Sequence, residues 1–455
     1  MKLESELLHM QAAGRRSHGR EPVRSSASFV TEASEPLPRH ATEEIVRTEL
    51  GNGVVVVSER IASIRSAAMG VWVRQGGAHE REEDAGVSHM LEHMVFKGTR
   101  KRSAAEIAIA LERLGGSLDA YTTREHTAYQ ARVLDEHLGE AMDVVSDLVL
   151  APRLEASDLD LEREVVLEEI AQVEDTPDDL VFELHAERFW QGHPYGRPIL
   201  GTTETVSVMS ADVLRGTHER SYTGANLVVA VAGNVHHEEV VERATALFGD
   251  VPRGVQVPCA EVPGESRRGF EAVDRASAQT HLVFATDVPG HGHLDRYAHI
   301  LLSAALGGGM SSRLFQKIRE AMGLCYSVFS FQSFYEARGV AGVYVGTRPA
   351  SAKRAEGAVR DELDILAGQG LTEVEFEDIR RQVKGQIMLS LESPGARLHR
   401  LAASELHDEP FVGLDDLLGR IDAVTIEDTA RVAREAYASD RHFTLALGPA
   451  VGATG

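Results

Sequence analysis

The same order of predicted secondary-structure elements occurs twice in the 455 residues, and this repeat constrains the fold more than any other feature. Apolar periodicity in the first half predicts strands at 54–57 and 67–73, a helix around 89, a helix at 103–114, an extended segment at 121–133 and a helix at 137–148. The second half has a strand at 280–285, helices at 294–306 and 313–321, strands at 326–334 and 339–347, and a helix at 351–368. Strands and helices mixed in this order predict two related α+β domains, each a sheet covered by helices.

The repeat also sets the expected domain boundaries. Residues 44–250 form the predicted N-terminal domain and residues 267–455 the predicted C-terminal domain. Between them, residues 251–266 contain three prolines and two glycines without a helical period, and they are interpreted as a linker. Residues 1–43 lack periodicity, so they are expected to form a disordered leader.

The leader and the cysteines bear on cellular location. Arginines and serines in the leader resemble a transit peptide, but its several glutamates are too many for one, and it has no apolar region of a secretory signal. The longest apolar run, near 227–232, is too short to cross a membrane. Cys259 and Cys325 lie far apart in the sequence, which indicates a reducing compartment. A cytoplasmic protein with no membrane association is therefore expected.

A short motif in the first half predicts a metal site. Counted at 100° per residue from Val87, the side chains of His89, Glu92 and His93 fall between about 140° and 240° around the helix. The apolar side chains of the same segment fall on the opposite face. Histidines one helical turn apart can share a metal, and a glutamate beside them can act on a metal-bound water. For residues 89–93 taken alone, the alternative is that two surface histidines flank a solvated glutamate.

A third ligand is expected on a downstream element, because a catalytic zinc has three protein ligands and one open position. The helix predicted to end before Pro177 places Glu162 and Glu169 within its apolar stripe, whereas Glu168 points the other way. A carboxylate on a buried stripe is costly unless a cation compensates it, so Glu169 is the expected ligand. The alternative is that both glutamates border the stripe and pair with arginines.

These residues resemble the M16 peptidases, the group that includes pitrilysin and the mitochondrial processing peptidase. The resemblance extends over residues 86–99, and further matches run from about residue 45 to the C-terminus, most like the short bacterial members. It implies that His89, His93 and Glu169 bind one Zn²⁺ per chain, that Glu92 is the general base, and that Glu162 supports the site. It also implies two mainly antiparallel sheets arranged as a duplicated half-clam.

Further site residues are implied by the same resemblance. Arg319 and Tyr326 match a pair that contacts the substrate backbone and the polarised carbonyl, and both can donate hydrogen bonds to a developing oxyanion. Asp119, Ala120 and Tyr121 match the edge strand on which a peptide would add as a further strand. The family often has Asn where Asp119 stands, and an ordinary edge strand would explain the same pattern.

The formal net charge of −23 and the absence of a basic tract argue against nucleic-acid binding and favour basic peptides as substrates. The sequence therefore predicts a zinc-dependent endopeptidase that cleaves extended peptides or unfolded segments. Longer family members resemble two such chains joined end to end, so a homodimer with each site completed in trans is expected. A catalytically silent structural or binding subunit of a processing-peptidase-like assembly is the alternative.

Overall fold

The computed structural model describes residues 44–258 and 260–449; the predicted leader and Cys259 lie outside them. Within these residues the chain forms two sheets. The first contains β1 (Glu44–Glu49), β2 (Val55–Arg60), β3 (Ser66–Val73), β4 (Ser117–Thr122), β5 (Thr127–Leu134) and β6 (Leu227–Gly233). The second contains β7 (Gly269–Asp274), β8 (Thr280–Pro289), β9 (Cys325–Phe334), β10 (Arg338–Thr347) and β11 (Phe443–Gly448).

The two sheets share one topology. Their strand orders are β1-β2-β6-β3-β5-β4 and β7-β11-β8-β10-β9, so five strands of the first match the five of the second one by one. In each sheet one pair is parallel, β2 with β6 and β7 with β11, and the other pairs are antiparallel. The α+β class with two related, mainly antiparallel sheets is thereby confirmed.

Helices follow the strands in both halves. Those of the first half are α1 (Val87–Val95), α2 (Ala104–Glu112), α3 (Leu138–Leu150), α4 (Ala156–Asp175), α5 (Pro177–Phe189), α6 (Thr203–Val208), α7 (Ala211–Ser221) and α8 (His237–Phe248). Those of the second are α9 (Arg296–Gly307), α10 (Ala352–Gln369), α11 (Glu373–Ser390), α12 (Pro394–Leu406), α13 (Leu414–Asp422) and α14 (Ile426–Ala436). The helix predicted at 313–321 is mostly a π-helix, Phe315–Ala321, because the Met322 N–H donates to the Lys317 carbonyl five residues earlier.

One face of each sheet is covered by helices of its own half. In the first half, Met90 and Leu91 of α1 pack with Met69 and Val71 of β3 in the larger core. In the second half, α9, α10 and α14 form the corresponding core against β8 and β10. The linker residues that the structure describes, 251–258 and 260–266, form neither helix nor strand.

The other face of each sheet is covered by a helix of the opposite half. Leu398 and Leu401 of α12 are buried against β2, β3 and β6 of the first sheet. Val181 and Phe189 of α5 are buried against β8 and β11 of the second sheet. This exchange of helices joins the two halves, since each sheet buries its second face against a helix of the other half. Among the described helices, none is long and apolar enough to cross a membrane.

Candidate metal centre

The helix that carries the motif begins at a fixed point. Gly86, which precedes α1, has φ 92°, and a Cβ there would lie 2.6 Å from the Leu200 carbonyl oxygen, so only glycine fits. The buried Glu80 carboxylate accepts the Gly86 and Ser88 N–H groups, each at 2.8 Å. It thereby binds the positive end of the helix dipole. Burial nevertheless raises the pKa of Glu80 to about 7, against the effect of these two hydrogen bonds.

Three predicted ligands come together in one cluster. His89, His93 and Glu169 each place a ligand atom within 4.8 Å of the others, the one such group of His, Cys, Asp and Glu side chains in residues 44–258 and 260–449. The Nε2 atoms of His89 and His93 lie 3.7 and 3.6 Å from Glu169 Oε2. Ligands bound about 2.1 Å from a tetrahedral zinc lie about 3.4 Å apart, so the donors fit this metal in type and spacing.

The long helix α4 supplies two carboxylates at different depths. Glu162 is buried, whereas Glu169 lies at the edge of the buried stripe with 39% of its side chain exposed. The prediction that both glutamates lie on the buried stripe is therefore right for Glu162 and only partly right for Glu169. Val165 of the same helix is exposed although it is apolar, so the buried stripe of α4 is narrow. Glu168 points to solvent.

Glu162 orients one of the histidines. The His93 Nδ1–H donates to Glu162 Oε1 at 2.8 Å, which leaves Nε2 of His93 directed at the cluster as an acceptor. Lys97, one turn beyond His93, forms an ion pair with the other oxygen of Glu162. The Glu162 carboxylate is thus held between an imidazole and an ammonium group, which offsets the cost of burying it.

The protonation of the cluster suits metal binding. Burial, aided by the neighbouring His93, lowers the pKa of His89 to about 3, so this imidazole is neutral at neutral pH. Burial also raises the pKa of Glu169, while His93 opposes the rise and Glu162 adds to it. A cation between these groups would relieve the cost of burying the Glu169 charge.

Glu92 lies beside the cluster and is held by one hydroxyl. The Thr122 Oγ1–H donates to Glu92 Oε2 at 2.6 Å. Burial raises the pKa of Glu92, and the Thr122 hydrogen bond opposes the rise. Tyr129 and Tyr222 are buried nearby with their hydroxyls 2.8 Å apart, and burial together with the charge of Glu92 raises the pKa of both. On one side, the Glu92 side chain therefore faces these buried tyrosines and not solvent.

The predicted substrate strand is the edge of the first sheet. β4 pairs with β5 alone among the described strands, so its other edge is open. Asp119 is exposed and its Oδ1 accepts the Ala120 N–H at 3.0 Å. The Tyr121 side chain is buried on the face of the sheet that α12 covers, where its hydroxyl lies 3.1 Å from Trp72 Nε1 and 3.3 Å from His399 Nδ1. The Tyr121 side chain is thus unavailable to a peptide at the open edge, and its backbone groups pair with Ala128 of β5.

The predicted Arg and Tyr pair lies in the second half. The Arg319 guanidinium lies 5.1 Å from the centre of the Tyr326 ring and 4.5 Å from that of Phe315. Arg319 is on the π-helix, and the Tyr326 side chain, at the start of β9, is 60% exposed. Within the described chain, Arg319 forms an ion pair with its neighbour Glu320.

Sequence reasoning did not find three residues that hold the site. Thr122 was read only as part of a strand, since a threonine in an alternating segment gives no sign of a carboxylate partner. Lys97 lies within the matched motif but received no role. No sequence pattern indicates the role of Glu80, because its two partners are backbone N–H groups that it reaches through a loop.

Family models match both halves of the chain. The model described as Insulinase (Peptidase family M16) matches residues 55–203, and the model described as Peptidase M16 inactive domain matches residues 209–383. The first match contains α1 and α4 with the whole His89, His93 and Glu169 cluster. The second match contains the π-helix and β9.

Several curated proteins and solved structures are similar over most of the chain. An uncharacterised zinc protease of Streptomyces coelicolor is 41% identical over 87% of this chain and 88% of its own length. The corresponding values for an uncharacterised zinc protease of Bacillus subtilis are 38%, 89% and 98%. A structure from Pseudomonas fluorescens, described as a peptidase M16 inactive domain, has a TM-score of 0.85 at 21% identity and covers 90% of this chain and 98% of its own. A protease from Helicobacter pylori has a TM-score of 0.82 at 23% identity, covering 90% and 100%.

Proposed function

The chain belongs to the M16 peptidase family, and on that premise we propose that it is a zinc-dependent endopeptidase with one zinc per chain. The observation that carries the proposal is the compact set of His89, His93 and Glu169 with Glu92 on the same helix face. Zinc proteases among its relatives support the metal, and the geometry supports the use of Glu92 as a base.

The cluster would hold the metal through Nε2 of His89, Nε2 of His93 and the carboxylate of Glu169. When bound there, zinc supplies a Lewis acid that polarises a peptide carbonyl and makes water more acidic. Glu162 keeps His93 in the tautomer that offers Nε2, and Lys97 balances the charge of Glu162. These contacts fix the ligand positions before substrate arrives.

Glu92 would move the proton. Its Oε2 is engaged by Thr122, so Oε1 is the oxygen available to a water molecule beside the cluster. The carboxylate takes a proton as the water attacks the scissile carbonyl and returns it to the departing amide nitrogen. Because burial raises the pKa of Glu92, it is a stronger base than an exposed glutamate would be.

Extended peptides or unfolded segments are the proposed substrates. Within the predicted segment of Asp119, Ala120 and Tyr121, the open edge of β4 offers the backbone groups of Ala120 for pairing with a peptide that lies next to α1. Arg319 and Tyr326 would donate to the substrate carbonyl from the second half of a partner chain in a homodimer. A cytoplasmic location remains a prediction from the sequence.

The alternative of a catalytically silent subunit is less well supported. Loss of catalysis would remove selection for Glu92, for its Thr122 contact and for the complete ligand set. All of these are present in this chain, and they lie together.

A Glu92→Gln variant tests the proposal. The amide keeps the shape of the side chain but cannot accept the proton, so hydrolysis of an unfolded protein or peptide library should fall by at least about 100-fold. Zinc content, measured by atomic emission on the purified protein, should equal that of the wild type. A wild-type protein that binds zinc but cleaves no peptide, or a zinc-replete variant that retains wild-type turnover, would refute the assignment.

The net charge of −23 suggests a preference for basic peptides. Cleavage of Lys/Arg-rich and Asp/Glu-rich peptides with the same scissile bond is compared at low and high ionic strength. We expect the basic peptide to be favoured and the difference to shrink with salt, because salt screens charges more than about 10 Å apart. A preference that is absent, or independent of salt, would remove this electrostatic argument.

A further inference from the structure

We propose that Thr122 is a positioning residue for the general base, through which the substrate strand and Glu92 are mechanically joined. This inference rests on the proposed function and deepens it. Thr122 is the last residue of β4, it is 4% exposed, and its hydroxyl is 2.6 Å from Glu92 Oε2. Hydrogen bonds to a carboxylate are among the stronger ones, and they hold a donor and acceptor at this short distance.

The direction of this hydrogen bond follows from the neighbouring hydroxyl. Thr127, opposite Thr122 in the ladder, donates its proton to the Gln75 carbonyl at 2.8 Å. Its oxygen lies 3.5 Å from Thr122 Oγ1, much farther than Glu92 does. The single hydroxyl proton of Thr122 therefore goes to Glu92. One carboxylate oxygen is fixed by this donor, and the other is left for a water molecule.

The backbone N–H and C=O groups of Thr122 point away from the neighbouring strand β5. The Thr123 N–H donates to the His126 carbonyl at 2.8 Å, so this pair is hydrogen-bonded across the hairpin. The register continues without a shift, and hydrogen-bonded and non-hydrogen-bonded pairs alternate in an antiparallel ladder. The backbone groups of Thr122 and Ala120 accordingly point to the open edge. One residue thus presents its hydroxyl to the base and its peptide groups to an incoming strand.

The second half, in whose described residues no metal cluster is found, has an apolar residue at the position that corresponds to Thr122. Phe334 is the last residue of β9, which is the edge strand matched to β4. Its partly buried ring packs against the second core, with its centre 6.5 Å from that of the His299 ring of α9, the helix matched to α1. An apolar side chain is sufficient where the contact only closes the core. A threonine that bonds to a carboxylate is found in the half that has the base.

The consequence is that Thr122 sets the orientation of Glu92. Without the hydroxyl, a largely buried carboxylate would lack its donor and would turn toward the cluster or toward water. A misplacement of about 1 Å in a catalytic group can lower turnover by about 100-fold without weakening substrate binding. Pairing of a peptide with the open edge would in turn fix the end of β4 and so the position of the base.

Thr122→Val, Thr122→Ser and Thr127→Val test this inference. Valine has the shape of threonine without the hydroxyl, so kcat should fall by about 10-fold to 100-fold while KM, zinc content and Tm stay near wild type. Serine restores the donor and should retain most of the activity. Thr127→Val is the matched control, since it removes a buried hydroxyl on the paired strand that serves the Gln75 carbonyl and not Glu92.

A crystal structure of zinc-loaded Thr122→Val gives a readout that does not depend on turnover. Glu92 should leave its wild-type orientation or occupy more than one. Wild-type kcat in Thr122→Val, an unchanged Glu92 side chain, or a loss of zinc and Tm that accounts for the lost activity would each overturn the proposal. Failure of the peptidase assignment is separate, because it would appear as an inactive wild-type protein, with the Glu92 orientation still deciding the role of Thr122.

Discussion

Two adjacent glutamates on one helix illustrate how side-chain direction decides which residue reaches the candidate metal site. Glu168 and Glu169 differ by about 100° around α4, so the first points to solvent and the second reaches Nε2 of His89 and His93. Glu169 retains 39% side-chain exposure, which leaves space beside the cluster for a substrate. The two carboxylates are chemically identical, so the direction of its side chain is what makes Glu169 the proposed metal ligand.

Glu169→Gln should lower zinc affinity by more than about 100-fold, since even loss of an outer-shell partner costs about 10-fold to 100-fold. Glu168→Gln is the matched control, and it should bind zinc like the wild type. Competition with a fluorescent chelator measures both constants. Equal affinities in the two variants would mean that the third ligand is another residue.

The start of α1 shows how an element, and not a single ligand, is positioned. Glu80 accepts the N–H groups of Gly86 and Ser88, so the two histidines and Glu92 that follow are set by a carboxylate outside the helix. The pKa of Glu80 is raised to about 7, because burial outweighs these hydrogen bonds. The folded protein therefore binds a proton at Glu80 that the unfolded chain releases near pH 4.5.

The stability of the helix end should depend on pH in a defined direction. Because the folded pKa is raised, the contribution of Glu80 is fully present below about pH 4.5 and is lost as the pH rises toward 7. The difference in unfolding free energy between wild type and Glu80→Gln should change by on the order of 3 kcal/mol over this window. Chemical denaturation of both metal-free proteins at several pH values measures it. A constant difference would show that Glu80 has an ordinary pKa.

At the scale of the whole molecule, the exchanged helices α5 and α12 join the two halves through buried contacts. Arg397 of α12 forms an ion pair with the buried Glu59 of β2, and the Arg74 guanidinium binds the carbonyls of Glu405 and Leu406 at the end of α12. These contacts join residues more than 300 positions apart in the sequence. Arg319 lies in the second half, and we propose that it completes the zinc site of a second copy of the chain.

Mixing Glu92→Gln with Arg319→Ala protein under conditions that exchange subunits tests this assembly. If sites are completed in trans, each heterodimer has one doubly damaged site and one intact site. Activity should then return to roughly a quarter of wild type, assuming random pairing and independent sites. Each variant incubated alone is the control. If mixing restores nothing, the arginine acts within its own chain or has no role in the site.

The proposed metal ligands follow from patterns local enough to be predicted from the amino-acid sequence. Helical geometry brings His89, Glu92 and His93 to one face without reference to the rest of the chain, and a second periodic helix separates Glu169 from Glu168. The repeated order of elements is also local information, because each strand and helix follows from its own apolar period. Two related α+β domains were therefore predictable, whereas the strand order within each sheet was not.

Only the tertiary structure decided the contacts between elements that are distant in sequence. The donor to Glu92 comes from Thr122 on a strand, the partner of Glu162 includes Lys97, and the dipole of α1 meets Glu80 through a loop. The exchange of α5 and α12 is likewise invisible in periodicity, since an amphipathic helix does not specify which of two apolar sheet faces it covers. Such choices depend on the summed packing and hydrogen bonding of the whole fold, and no local pattern contains that sum.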